Sequence, residues 1–279
     1  MCAAMRKTHG QEGAVRGLCS NITIAPDILG CLDVHLALEA FFEERSRCFQ
    51  NTVKAFPLAW KAFELVDEVW LRELEDLTHV SGSDRMCVIL YFSAHSRIRA
   101  AVEMAFSRCL PDAWASLRAG IESVAFASCI HQDVVLASRL DPNQTGEMKL
   151  KAFKHEFNDV RKKSLHPASK YGLKQLGRYW DQYSDSGSHA TVGSLATRLT
   201  ARVSGSTQSV VFHYLDAKKD VVLASLTDIL MCCCVMEQVL FRDFEPRLHL
   251  DPQLAALRTE LHDARRAAVE FLHRAVRLT

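Results

Sequence analysis

Residues 97–131, RIRAAVEMAFSRCLPDAWASLRAGIESVAFASCIH, constrain this chain more than any other stretch. Pro111 lacks a backbone donor and pushes Leu110 out of the α region, so a helix is expected to end near Cys109. Pro111 and Asp112 suit the entrance of the next helix. From Ala113 to Ile130 nearly every side chain is apolar or small, and only Arg118 and Glu122 carry charge. A helix that is apolar on all faces is buried. This pair, Arg97–Cys109 and Asp112–Ile130, is therefore expected to sit at the centre of the fold.

A tight antiparallel connection centred between Leu110 and Pro111 sets Glu103 level with Arg118, and Arg99 level with Glu122. The spacing predicts a partly buried ion network of these four residues, because a guanidinium fork bonds a carboxylate at two points. Two roles fit such a network. It is either a clamp that fixes helix register or the polar floor of a ligand-binding or catalytic pocket.

The remaining pattern is mostly helical. Long stretches lack both Gly and Pro, of which the chain has only 12 and 7. A first helix is expected over roughly Leu32–Ala55, and a second from Pro57 to about Thr78. In the second, Trp60, Phe63, Val66, Trp70, Leu74 and Leu77 recur at helical spacing, while Glu64, Asp67, Glu68 and Glu75 fall largely outside that stripe. Shorter helices are expected over Val134–Leu140, Thr145–Leu165 and Lys170–Tyr183, with Ser184–Ser188 as a loop. Leu199–Val203 and Ser209–Tyr214 flank Ser204-Gly205-Ser206 and read as a short hairpin or a lid-like loop. Long helices over Asp216–Phe241 and from Pro252 to about Val276 complete an all-α bundle of seven or eight helices. Residues 1–24 are expected to form a loose arm, and 25–279 a single helical domain.

The net charge of +1 gives no global argument for nucleic acid or membrane. Polar residues interrupt the most apolar segment, Val221–Phe241, so no transmembrane span is expected. Met1–Asn21 lacks the apolar core of a signal peptide. The ten cysteines include the consecutive Cys232, Cys233 and Cys234 but no Cys-x-x-Cys. They read as reduced core residues of a cytoplasmic protein. His155 and Asp159 share one helical face, but no third ligand joins them, so neither a metal nor another cofactor is expected.

The sharpest charge asymmetry lies between Lys149 and Arg178. Lys154, Lys162, Lys163, Lys170, Lys174 and Arg178 are interleaved with aromatic residues there, a pattern suited to a phosphate backbone and exposed bases. Within it, Arg161 precedes His166 by five positions. An Arg holding phosphate and a His moving a proton would suit RNA cleavage. His189, beside the Ser-rich loop, is a second candidate acid or base. RNA, a protein partner and a second copy of the chain are the partners these features allow.

Two pieces carry a resemblance. Leu117-Arg118-Ala119-Gly120-Ile121-Glu122 is similar to the Arg-Ser/Ala-x-x-Glu helix of a family of uncharacterised, mostly microbial all-helical proteins. Tyr183-Ser184-x-x-x-Ser188-His189 is similar to that family's later Tyr/Ser/His segment. The family loosely resembles the HEPN bundles, some of which are metal-independent RNases of toxin–antitoxin and phage-defence systems with an Arg-x4-6-His site. Arg161 to His166 meets that spacing, although Lys162 and Pro167 depart from the commoner motif, and His189 has no Arg at that distance before it. The resemblance thus implies an RNase. The residues alone equally support a non-catalytic helical module for a partner protein or small anionic ligand.

Overall fold

A computed structural model describes residues 34–75, 77, 82–133, 165, 171–187, 199–204, 207–212, 215, 218–248 and 252–277. Seven α-helices occur among them: α1 (Val34–Ala55), α2 (Pro57–Glu75), α3 (Gly82–Phe106), α4 (Leu110–Gln132), α5 (Lys174–Gly187), α6 (Lys219–Phe244) and α7 (Pro252–Arg277). Strands β1 (Leu199–Ser204) and β2 (Thr207–Phe212) form an antiparallel hairpin in which Leu199 pairs with Phe212. The all-α bundle expected from the sequence is what the chain forms, with this hairpin as its one addition among the described residues. No helix among them is long and apolar enough to cross a membrane. The arm expected over residues 1–24 and the helices expected over 134–140 and 145–165 lie outside the described residues.

The α3/α4 hairpin is central, as expected, but its turn lies earlier in the chain. Arg108 adopts a left-handed φ of 62°. Cys109 N–H bonds to the Met104 carbonyl at 2.7 Å, and Arg108 N–H to that of Ala105 at 3.0 Å. This is the paired bonding of a Schellman cap, here closed on Arg rather than the usual Gly. The helix therefore stops at Phe106, and α4 begins at Leu110 with Pro111 in its first turn. In consequence Ser116 Oγ reaches the Arg97 carbonyl at 3.0 Å. A Cβ on Gly120 would lie 3.3 Å from that of Arg97, so glycine permits the close crossing of the two helices.

Between α1 and α2 only Phe56 intervenes, and Pro57 supplies the helix start with its pre-set φ. The stripe expected on α2 is largely inward: Phe63, Val66, Trp70 and Leu74 are buried, together with Val69 and Glu73. Behind this layer α6 is buried along most of its length, including Cys232, Cys233 and Cys234. The seven described cysteines, these three among them, are free thiols. Helix α7 packs on α2 and α6, and α5 packs on α4. The segment Ser184–Gly187, expected as a loop, continues α5 instead. Ser184 Oγ donates back to the Trp180 carbonyl at 2.7 Å, which keeps the serine compatible with the helix.

Candidate functional site

A cleft of about 340 Å³ opens between α2 and α3 and is closed at one end by α1. Phe49, Trp60, Phe63, Ile98 and Val102 form its apolar walls, and Glu64, Asp67, Arg99 and Glu103 its polar edge. Helical spacing explains this grouping. Residues 60, 64 and 67 fall on one face of α2, and residues 99, 102 and 103 on one face of α3. Phe49 meets Trp60 edge to face, with ring centroids 5.5 Å apart and planes at 85°. Trp60 in turn packs on buried Phe106, centroids 5.2 Å apart. The aromatic wall is thus anchored in the core and does not have to assemble around a ligand.

Asp67, Arg99 and Glu103 at the edge are held in fixed pairs. Arg99 donates through Nε to Asp67 Oδ1 at 2.6 Å and through Nη2 to Oδ2 at 2.8 Å. His95 Nε2 lies 2.7 Å from Asp67 Oδ1 and, since an ionised carboxylate only accepts, is the donor. The buried imidazole is itself stacked on Trp70, planes 12° apart. Burial pushes the Asp67 carboxyl up, but the hydrogen bonds from Arg99 and His95 outweigh it and hold the group well below the ordinary carboxylate range. Asp67 is therefore ionised throughout the physiological range and is a poor general base. Glu103 takes Arg45 on Oε2 and the Ser107 hydroxyl on Oε1 at 3.1 Å.

The four-residue network expected from the sequence is split. Arg99 and Glu103 edge the cleft, with Asp67 and Arg45 as their partners. Arg118 and Glu122 lie instead beside α5. Arg118 is 3.6 Å from Glu122, its guanidinium sits 5.1 Å above the Trp180 ring, and Trp180 Nε1 donates to Glu122 at 2.9 Å. The expected cross-pairing fails because the Arg108 cap moves the turn. Ser116 and Gly120 now both lie against Arg97, so Arg118 is level with Arg97, well over a helical turn from Glu103. Of the expected basic strip, Lys174 and Arg178 are exposed one turn apart on α5. Lys154, Lys162, Lys163 and Lys170 lie outside the described residues, as do Arg161, His166 and His189.

Sequence reasoning missed Asp67 and His95 as partners of Arg99. The available signal was His95 one turn before Arg99, opposite an acid on the preceding helix. Two buried polar clusters were missed as well. Arg258 of α7 bonds both Glu73 of α2 and Glu237 of α6, and its guanidinium lies 3.5 Å from the Phe241 ring centroid. Burial and the facing Glu237 push the Glu73 carboxyl up to about 9, against the pull of Arg258, and burial raises Glu237 too. At the other cluster Tyr91 donates to Asp243 at 2.7 Å, while Arg242 bonds Asp243 and the Ser128 hydroxyl. Glu73 was legible in principle, for it stands three positions after Trp70 on the apolar face of α2. No cluster of three or more metal-ligating side chains occurs among the described residues.

Comparison with family models, with curated proteins and with solved structures finds no match to this chain. The functional reading therefore rests on the cleft itself.

Proposed function

We propose that this protein is a helical binding module that takes a small molecule in the α2/α3 cleft without transforming it. One observation carries this reading: the cleft joins an open, core-anchored aromatic wall to an edge whose central carboxylate is already saturated. Such an edge orients a ligand, while its central carboxylate, Asp67, is not poised to move a proton. A small anion, the ligand class the sequence allowed, suits this cleft poorly, because the one lining cation among the described residues is spent on Asp67.

The test is a fragment screen read by thermal stabilisation, with Val102→Trp as the control that fills the cleft. A ligand at one hundred times its dissociation constant stabilises the native state by about 2.7 kcal/mol. Binders are expected to raise the melting temperature of the wild type and not of the variant. Equal stabilisation of both would remove the cleft from consideration.

A second reading keeps the nucleic-acid role and draws on exposed Lys174 and Arg178. Here α5 would hold RNA, with His166 or His189 as acid or base and Arg161 on the phosphate. Its test is cleavage of a mixed RNA pool with chelator present, wild type beside His166→Ala and His189→Ala. Loss in one folded variant would establish the RNase, and no cleavage by the wild type would leave the binding module.

A further inference from the structure

We propose that the ligand of the α2/α3 cleft is a monocation: a small amphipathic molecule with one ammonium group on an aromatic or aliphatic body. This deepens the reading of the cleft as the ligand site and depends on it.

The inference follows from which charges of the cleft are already neutralised. Both oxygens of Asp67 are occupied, one by Arg99 and His95 and the other by Arg99. Both oxygens of Glu103 are occupied by Arg45 and Ser107. Among the described residues Arg99 is the one cation lining the cleft, and its Nε and Nη2 are engaged with Asp67. Glu64 has neither a hydrogen bond nor an ion pair among the described residues. Among the described residues, two balanced pairs and one free carboxylate leave the cleft with a single uncompensated negative charge.

Its position gives the charge chemical meaning. Glu64 stands one helical turn after Trp60 on the same face of α2, so the free carboxylate and the indole border the same space. The Phe49 ring stands nearly perpendicular to Trp60 at the closed end. Ring faces beside a carboxylate attract an ammonium group twice, through the quadrupole and through the formal charge. Phe63, Ile98 and Val102 then offer an apolar bed for the rest of the ligand. A volume of about 340 Å³ is at the small end for ligand sites, which fits a compact molecule.

Three probes sharing one body test this: 4-phenylbutylamine, 4-phenylbutanol and 4-phenylbutyrate, titrated at pH 7 into the full chain and followed by two-dimensional NMR. The amine is expected to bind about tenfold more tightly than the alcohol, with the acid weakest. Glu64 is exposed, so Glu64→Gln should fold normally; it is expected to cut the amine's advantage over the alcohol several-fold, leaving the part that the ring faces supply. Glu64→Lys should place the acid above the amine. An alcohol or acid that binds the wild type as tightly as the amine would overturn the charge assignment while leaving the cleft as the ligand site. So would a preference for the amine that Glu64→Gln leaves undiminished. Failure of all three probes would overturn the cleft and the charge assignment together.

Discussion

Replacing Arg258 with Met tests the most tightly coupled part of the bundle. Arg258 bonds two carboxyl groups, Glu73 and Glu237, both almost completely buried. Burial and the neighbouring carboxylate keep the proton on Glu73 up to about pH 9, well above its ordinary value of 4.5. Between those limits Glu73 holds a proton in the folded state that it lacks in the unfolded state, so its contribution to wild-type stability falls as pH rises, by at most about 1.4 kcal/mol per pH unit. The variant leaves Glu237 without its cation, and that group must then take a proton as well. Its stability should fall up to twice as steeply. At pH 8 the loss should reach the roughly 3–5 kcal/mol typical of an orphaned buried charge. At pH 5, where both carboxyls are protonated in the variant, it should shrink to about 1–3 kcal/mol for lost hydrogen bonds. Met retains an unbranched apolar stem against Phe241, which separates the charge effect from packing. Urea unfolding at the two pH values, followed by circular dichroism, measures both losses. A penalty that is equal at pH 5 and pH 8, or larger at pH 5, would refute the charge pairing of Arg258 with the buried carboxyls.

Three further outcomes check the packing and the polar core. Gly177→Ala should destabilise by about 1–3 kcal/mol although alanine normally favours a helix, because the added Cβ would lie 2.1 Å from the Leu165 carbonyl oxygen; a raised melting temperature would contradict this contact. Tyr91→Phe leaves buried Asp243 short of one donor and should cost about 1–3 kcal/mol in urea titration. Burial raises the thiols of Cys87, Cys232, Cys233 and Cys234 well above the usual cysteine value, so native protein at pH 8 should protect them from iodoacetamide and release them in denaturant, as read by mass spectrometry.

Much of the fold was legible because its signals are local. Pro57, Pro111 and Pro252 each stand at or beside a helix start, and the apolar periods of α2, α6 and α7 continue between them. The turn of the central hairpin was not legible, because its left-handed residue is Arg108 rather than a glycine. That one cap moved the register by well over a helical turn and re-partnered every member of the expected ion network. The candidate site was half legible for the same reason. Glu103 stood out as the only charge between Ala100 and Ser107, and Arg99 by its expected pairing with Glu122. Their partners Asp67 and Arg45 come from other helices, so only the packing of α1, α2 and α3 identifies them. Glu73 and Glu237 were hidden differently: a carboxyl on a buried face resembles an interruption until the cation from a distant helix is seen beside it.

The cleft between α2 and α3 is the central claim, and the chain carries its own reporters for it. Of the four tryptophans, Trp60 lines the cleft, Trp70 stacks behind it on His95, and Trp180 covers Arg118 and Glu122 on the other helix pair. The most direct measurement is the set of four indole N–H resonances in a ¹⁵N-labelled sample, titrated with 4-phenylbutylamine. The Trp60 signal is expected to move most, Trp70 less, and Trp114 and Trp180 to stay in place. Movement of Trp180 with Trp60 unchanged would contradict the account and place binding at the α4/α5 face instead.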